Sequence, residues 1–137
     1  LAEFKGQAEQ PLRDELVVLS NQPGYISIRT KRWLYIPNQG AGGFRGDKWN
    51  VHLISDVAAM KHTDQTNSDI VDGRLKPNAP SVQLYDLSKD LGQTRNIAGE
   101  HPEVVKQLQA RVDQTRQVIP DTKPVGWIQP PGKKKSK

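Results

Sequence analysis

An α+β fold is predicted for this chain: a small antiparallel β-sheet of about four strands packed against one C-terminal α-helix. Three observations predict it. Short apolar or alternating runs, broken by turn residues, recur between residues 15 and 36. A fourth strand-like run follows at 82–86, after a long irregular stretch. One apolar stripe at spacings of three and four closes the pattern near the C-terminal end. With 137 residues, a mean hydropathy of −0.72, 10 Pro and 11 Gly, the chain has room for one modest core wrapped in loop.

The elements follow in chain order. Residues 1–14 are polar and read as a lead-in. Leu16-Val17-Val18-Leu19 is an apolar run that stops at Asn21-Gln22-Pro23-Gly24, where Pro-Gly marks a turn. In Tyr25-Ile26-Ser27-Ile28-Arg29-Thr30, Ile26 and Ile28 share one face and Ser27 and Arg29 the other. Lys31-Arg32 turns the chain into Trp33-Leu34-Tyr35-Ile36, which Pro37 ends. Three strands on tight turns make an antiparallel meander, which buries one face and needs a covering layer. Residues 38–81 are loop-rich, with a helical turn expected at Asp56 to Met60. So long an irregular stretch in a small domain is usually functional or mobile. A short strand is expected at Val82 to Asp86.

The helix is placed at His101 to Val118. Pro102 suits the first turn, where its missing N–H has no partner to lose. Glu100 and Glu103 sit near the positive end of the dipole. Val104, Val105, Leu108, Val112 and Ile119 form the stripe that covers the sheet. Lys106, Gln109, Asp113 and Arg116 fall on the other side, and Pro120 ends the helix. Residues 120–137 read as an extended basic tail, and no internal repeat is visible.

The net charge is +5, from 20 Lys and Arg against 15 Asp and Glu. Lys133, Lys134, Lys135 and Lys137 supply four of the positive charges, so residues 1–132 are almost neutral. A nucleic-acid binder spreads basic charge over its folded body, so none is expected as a partner. Such a lysine run is usually a solubilising tail, and alternatively a contact for an anionic polymer or lipid. No apolar run approaches the ~20 residues of a membrane span. The chain has no cysteine, hence no disulfide and no thiolate nucleophile or ligand. It starts at Leu1 with no signal-peptide pattern, which leads us to expect a piece of something longer.

Familiar chemical motifs fail on spacing. Gly40-Ala41-Gly42-Gly43-Phe44-Arg45-Gly46 has Arg45 where either a dinucleotide fingerprint or a P-loop needs glycine. Asp64, Asn67, Asp69 and Asp72 lack the calcium-loop spacing and its closing Glu, and read as a solvated acidic loop. His52, His62 and His101 show no zinc-helix spacing. His101 is expected to start the helix, and His52 and His62 to lie in the loop region.

One segment carries more: Gln83-Leu84-Tyr85-Asp86-Leu87-Ser88-Lys89-Asp90-Leu91-Gly92-Gln93-Thr94-Arg95-Asn96-Ile97-Ala98, then Glu100-His101-Pro102-Glu103-Val104-Val105. It resembles the C-terminal signature of the sulfatase family, arylsulfatase A type: Leu-Tyr-Asp-Leu, a Ser/Lys-rich turn, Asp-Pro-Gly-Glu, Asn-Leu and a final helix. Ile26 to Ile36 resembles that family's Ala-Ile-Arg, small turn, Trp-Lys-Leu-Ile hairpin. The blocks stand in the family's order, and the resemblance covers about residues 12–119. Leu91 replaces the usual Pro and Gln93 the usual Glu, both at turn positions.

The resemblance implies that residues 15–119 are the C-terminal subdomain of a formylglycine-dependent sulfatase, exported to the periplasm or secreted. The parent would hydrolyse sulfate esters of small molecules or glycans. Its oxidised Cys or Ser, in a Cys/Ser-x-Pro-x-Arg motif, and its calcium would belong to an N-terminal α/β domain. That motif is absent here, so no catalytic or metal-binding residue is carried over, and the piece alone is expected to be inactive. Its partner would be the α/β domain, and the isolated piece is expected to self-associate through the exposed docking surface. In the family the loop after the third strand borders the substrate mouth. On that ground Asn38 and Gln39 are expected to hydrogen-bond substrate, Phe44 and Trp49 to stack on a ring, and Arg45 and Lys48 to attract an anion. The alternative is a free-standing, non-enzymatic module whose basic tail binds anionic polymers.

Overall fold

The computed structural model describes residues 13–19, 25–44 and 57–118. Most of the lead-in, the Pro23-Gly24 turn, Ile119 and the basic tail lie outside the described residues. Strands β1 (Glu15–Leu19), β2 (Ile26–Thr30), β3 (Trp33–Ile36) and β6 (Gln83–Asp86) form one four-stranded sheet in the order β1-β2-β3-β6. Every pairing is antiparallel, with Val17 opposite Ile28, Ile28 opposite Tyr35, and Tyr35 opposite Leu84. Those four side chains therefore share one face. Helix α1 (Pro102–Val118) lies against that face and buries Leu108 and Val112 among Ile26, Ile28, Tyr35 and Leu84. The α+β architecture is as expected, and α1 starts one residue after His101.

The sheet departs from expectation on its second face. Leu34, Ile36, Tyr85 and Leu87 form a separate buried cluster there. All four residues of β6 are buried, so the burial does not alternate. Polar ties hold the connecting segment against this face: Asn67 Nδ2 donates to the Tyr85 hydroxyl at 2.8 Å, and Gln39 Nε2 to the Ala79 carbonyl at 2.9 Å. Helix α1 also departs at one position. Gln109, placed on the outer side by periodicity, is half-buried, and its Oε1 accepts the Tyr35 hydroxyl at 2.5 Å. A buried phenol must place its O–H, and the long amide of the residue next to Leu108 reaches it.

The region 57–81 holds more order than its composition implied. The expected helical turn is a 3₁₀ helix, Val57–His62, with Val57 buried. Strands β4 (Ile70–Val71) and β5 (Arg74–Leu75) pair as a separate hairpin. Asp72 and Gly73 form its two-residue turn with φ of 49° and 68°, the left-handed backbone that an Asp-Gly hairpin turn requires. A Cβ on Gly73 would stand 3.1 Å from the Cα and carbonyl oxygen of Ala58, so this glycine also permits the hairpin to touch the 3₁₀ helix.

Candidate functional site

The segment after β3 leaves the sheet at Pro37 and curls back at once. Gly40, Gly42 and Gly43 all have positive φ, and the Phe44 amide donates to the Ala41 carbonyl at 3.0 Å. The glycine cluster is thus a tight turn. At Gly43 a Cβ would meet Ile36 Cγ2 at 3.0 Å, so glycine lets the turn pack on the strand it has just left. Phe44 stacks on Tyr25, with centroids 5.1 Å apart and planes within 6°. The Asn38 carbonyl accepts Gln83 Nε2 at 2.6 Å. Asn38, Gln39 and Phe44 are therefore brought together on one short turn, with the Gln39 amide nitrogen committed to Ala79. Arg45, Lys48, Trp49 and His52 lie outside the described residues.

Beside this turn is an open cavity of about 410 Å³, lined by Ala41, Gly42, Asn67, Gln83, Tyr85 and Thr94 among others. Its floor is a chain of hydrogen bonds. The Tyr85 hydroxyl donates to Gln83 Oε1 at 2.6 Å and accepts from Asn67 Nδ2 at 2.8 Å. Asn67 Nδ2 also donates to the Gln93 carbonyl at 3.0 Å, and its Oδ1 accepts the Asp69 amide at 2.9 Å. Burial pushes the Tyr85 phenol up to about 12; the Asn67 bond opposes this, while Asp69 and Asp90 add to it. Among the described residues no buried side-chain polar atom lacks a partner. The floor is a connected hydrogen-bond network, and its amides and hydroxyl suit a polar uncharged ligand group better than a charged one.

The signature residues hold this floor in place. Asn96 Oδ1 accepts the amides of Leu84 and Ala98, both at 3.0 Å. Its Nδ2 donates to Asp69 Oδ2 at 2.6 Å and to the Val82 carbonyl at 3.0 Å. All four hydrogen-bonding positions of this amide are used. Asp69 is buried and also accepts Ser68 Oγ, so the acidic stretch read as a solvated loop has a structural carboxylate inside it. Asp86 accepts both Nε and Nη2 of Arg32, at 3.0 and 2.9 Å, and Ser88 Oγ at 2.5 Å. The bonds from Arg32 and then Ser88 lower its pKa to about 2. Asp90 closes the next turn. Burial works against its ionisation, and the amides of Thr94, Arg95 and Gln93 outweigh it, leaving its pKa below the usual value.

His101 tilts against Trp33, with ring centroids 5.3 Å apart, and its carbonyl accepts the Val105 amide in the first helical turn. His62 ends the 3₁₀ helix. Sequence reasoning did not single out Asn67, Gln83 and Tyr85 as a cavity floor. One signal was available: Gln83 and Tyr85 are two apart in a strand otherwise read as buried, so their polar atoms needed partners on one face. Among the described residues no group of three or more His, Cys, Asp or Glu could hold a metal ion. The described residues thus offer no such donor set for calcium, which the resemblance assigns, with formylglycine, to another domain. No helix among the described residues is long and apolar enough to cross a membrane.

No family model matches the chain, and no curated protein matches it. Among solved structures it is similar to a Bacteroides thetaiotaomicron sulfatase from a core genetic locus for the metabolism of multiple glycosaminoglycans. Identity is 22% and the TM-score 0.43. The match covers 77% of this chain, which spans 17% of that neighbour's length.

Proposed function

We propose that this chain is the C-terminal subdomain of a sulfatase, whose parent hydrolyses sulfate esters with a nucleophile and calcium ion held in another domain. One observation carries the reading. The two blocks that resemble the family lie far apart in sequence, yet they pair directly: Leu34 stands opposite Tyr85 and Tyr35 opposite Leu84. Asn96, the signature's asparagine, bonds to both sides of that second block. The role of this piece is to support the fold and to present the turn after β3 to the substrate mouth. There Asn38, Gln39 and Phe44, with Arg45, Lys48 and Trp49, would meet a sulfated small molecule or glycan. Export of the parent belongs to the same reading.

The test starts with the intact mass of the native gene product and peptide sequencing upstream of Leu1. A much larger product carrying a modified Cys or Ser in an x-Pro-x-Arg context supports the reading. A product that begins near Leu1 overturns it and favours a free-standing module. In the longer enzyme, Arg45→Ala with Trp49→Ala is expected to raise KM for a sulfated glycan with kcat little changed. An unchanged KM and unchanged substrate preference would remove these residues from the mouth.

A further inference from the structure

The near-neutral body conceals a segregated cationic groove. It lies where β1 begins and the β2–β3 turn closes, at the end of β3 opposite the Asn38–Phe44 turn. Its volume is about 760 Å³, within the ~300–1,000 Å³ of ordinary ligand sites. Arg13, Arg29, Lys31 and Arg32 line it, against the carboxylates of Asp14 and Glu15. Glu15 is engaged elsewhere, by Arg111 of α1. Arg13, Arg29 and Lys31 are exposed and make no ion pair among the described residues. Arg32 is pre-positioned: Asp86 holds its Nε and Nη2, and its guanidinium lies 4.4 Å from the Trp33 ring centroid. Its side chain remains 54% exposed, and among the described residues its hydrogen bonds to Asp86 use Nε and Nη2 and not Nη1.

From this groove we infer a second binding surface, for a linear anionic polysaccharide bearing sulfate or carboxylate groups. Arginine forks match planar and tetrahedral oxyanions, and three cations without an ion pair among the described residues, beside an oriented one, suit a repeating anion better than a single ion. The aromatic residues argue against a single-stranded nucleic acid, whose binding adds stacked bases to phosphate contacts. Trp33 is covered by Arg32 and His101, Tyr25 and Phe44 stack on each other, and Tyr35 and Tyr85 are buried. None of the residues that line the groove is aromatic, so it offers no ring of its own on which a base could stack. This surface is distinct from the turn assigned to the substrate mouth and stands without the sulfatase reading.

The experiment measures heparin binding to the full chain by titration calorimetry between about 50 and 200 mM salt, where counterion release makes ionic contacts visible. The starting protein carries Lys133, Lys134, Lys135 and Lys137 all changed to Ala, which removes the charge of the terminal lysine run. It is expected to bind. Adding Arg29→Ala and Lys31→Ala should weaken binding about tenfold or more and flatten the log–log salt slope by about 2. Neither side chain makes an ion pair among the described residues, so an unchanged thermal melt is expected and confirms that the fold is intact. Oligothymidylate and a duplex DNA of equal charge should bind more weakly than heparin. Loss of all binding with the charge of the lysine run, no effect of the double substitution, or equal binding of either DNA would each overturn the inference.

Discussion

Tyr85 shows how one side chain ties sequence, packing and chemistry together. Its ring fills the second face of the sheet, while its hydroxyl joins Gln83 to Asn67 under the cavity. Tyr85→Phe keeps the ring but strands Gln83 Oε1 and one bond of Asn67, and is expected to cost about 1–3 kcal/mol. Linkage gives a second readout. The folded pKa, about 12, lies above the ordinary 10.0, so the neutral phenol favours the folded state. That contribution is whole below pH 10 and is lost as the pH rises through about 12. Denaturant titrations across this window should show a steep loss of stability that shrinks in Tyr85→Phe. A remainder from Tyr35, also raised by burial and then by Asp113, should persist. Asp86 sets the acid limb with the opposite sign: its contribution is present above its ordinary 3.8 and disappears as the pH falls through about 2. An acid limb unchanged by Asp86→Asn would contradict the role given to the Arg32 contact.

The elements that were legible in the sequence were those whose burial has a period. Ile26 and Ile28 alternate, Val104 to Val112 step by three and four, and Pro37 and Pro102 mark boundaries that the backbone enforces. The hairpin β4–β5 was not read, although Asp72-Gly73 is a strong turn signal, because strands of two residues carry no period. The cavity floor was not read because Asn67 meets Tyr85 and Gln83 only through the tertiary fold. Glycine separates two effects within these elements. Gly42 and Gly73 both have positive φ, so Ala at either is strained by about 1–2 kcal/mol. At Gly42 nothing stands within 4 Å of a new Cβ, whereas at Gly73 the Ala58 backbone stands at 3.1 Å. Gly73→Ala is therefore expected to destabilise more than Gly42→Ala, and to release the segment about residues 57–75 to hydrogen exchange. Equal costs in thermal unfolding would mean that the hairpin and the 3₁₀ helix do not depend on that close approach.

The two edges of the sheet are treated differently, and this asymmetry governs the whole molecule. The β6 edge is closed: the Leu84 amide bonds to Asn96 Oδ1, and the Leu84 carbonyl accepts the Ile97 amide at 2.9 Å. At the β1 edge no described residue pairs beyond β2. That edge is also apolar, with Leu16, Val18 and Leu19 at 44%, 42% and 58% exposure. An open edge with apolar side chains is a template for another chain, and proteins ordinarily blunt such edges with lysine or cover them. A sheet that, among the described residues, is closed on one side and unpaired on the other fits a unit that completes itself against a partner surface, as the proposed α/β domain would provide. The isolated chain should then self-associate as its concentration rises, by sedimentation velocity. Leu16→Lys with Val18→Lys should return it to a monomer while leaving its thermal midpoint close to the original, because neither side chain contributes to the buried clusters. If the unmodified chain stays monomeric up to about 100 µM, in the range where exposed edges drive aggregation, β1 is not a docking edge and the incompleteness argument fails.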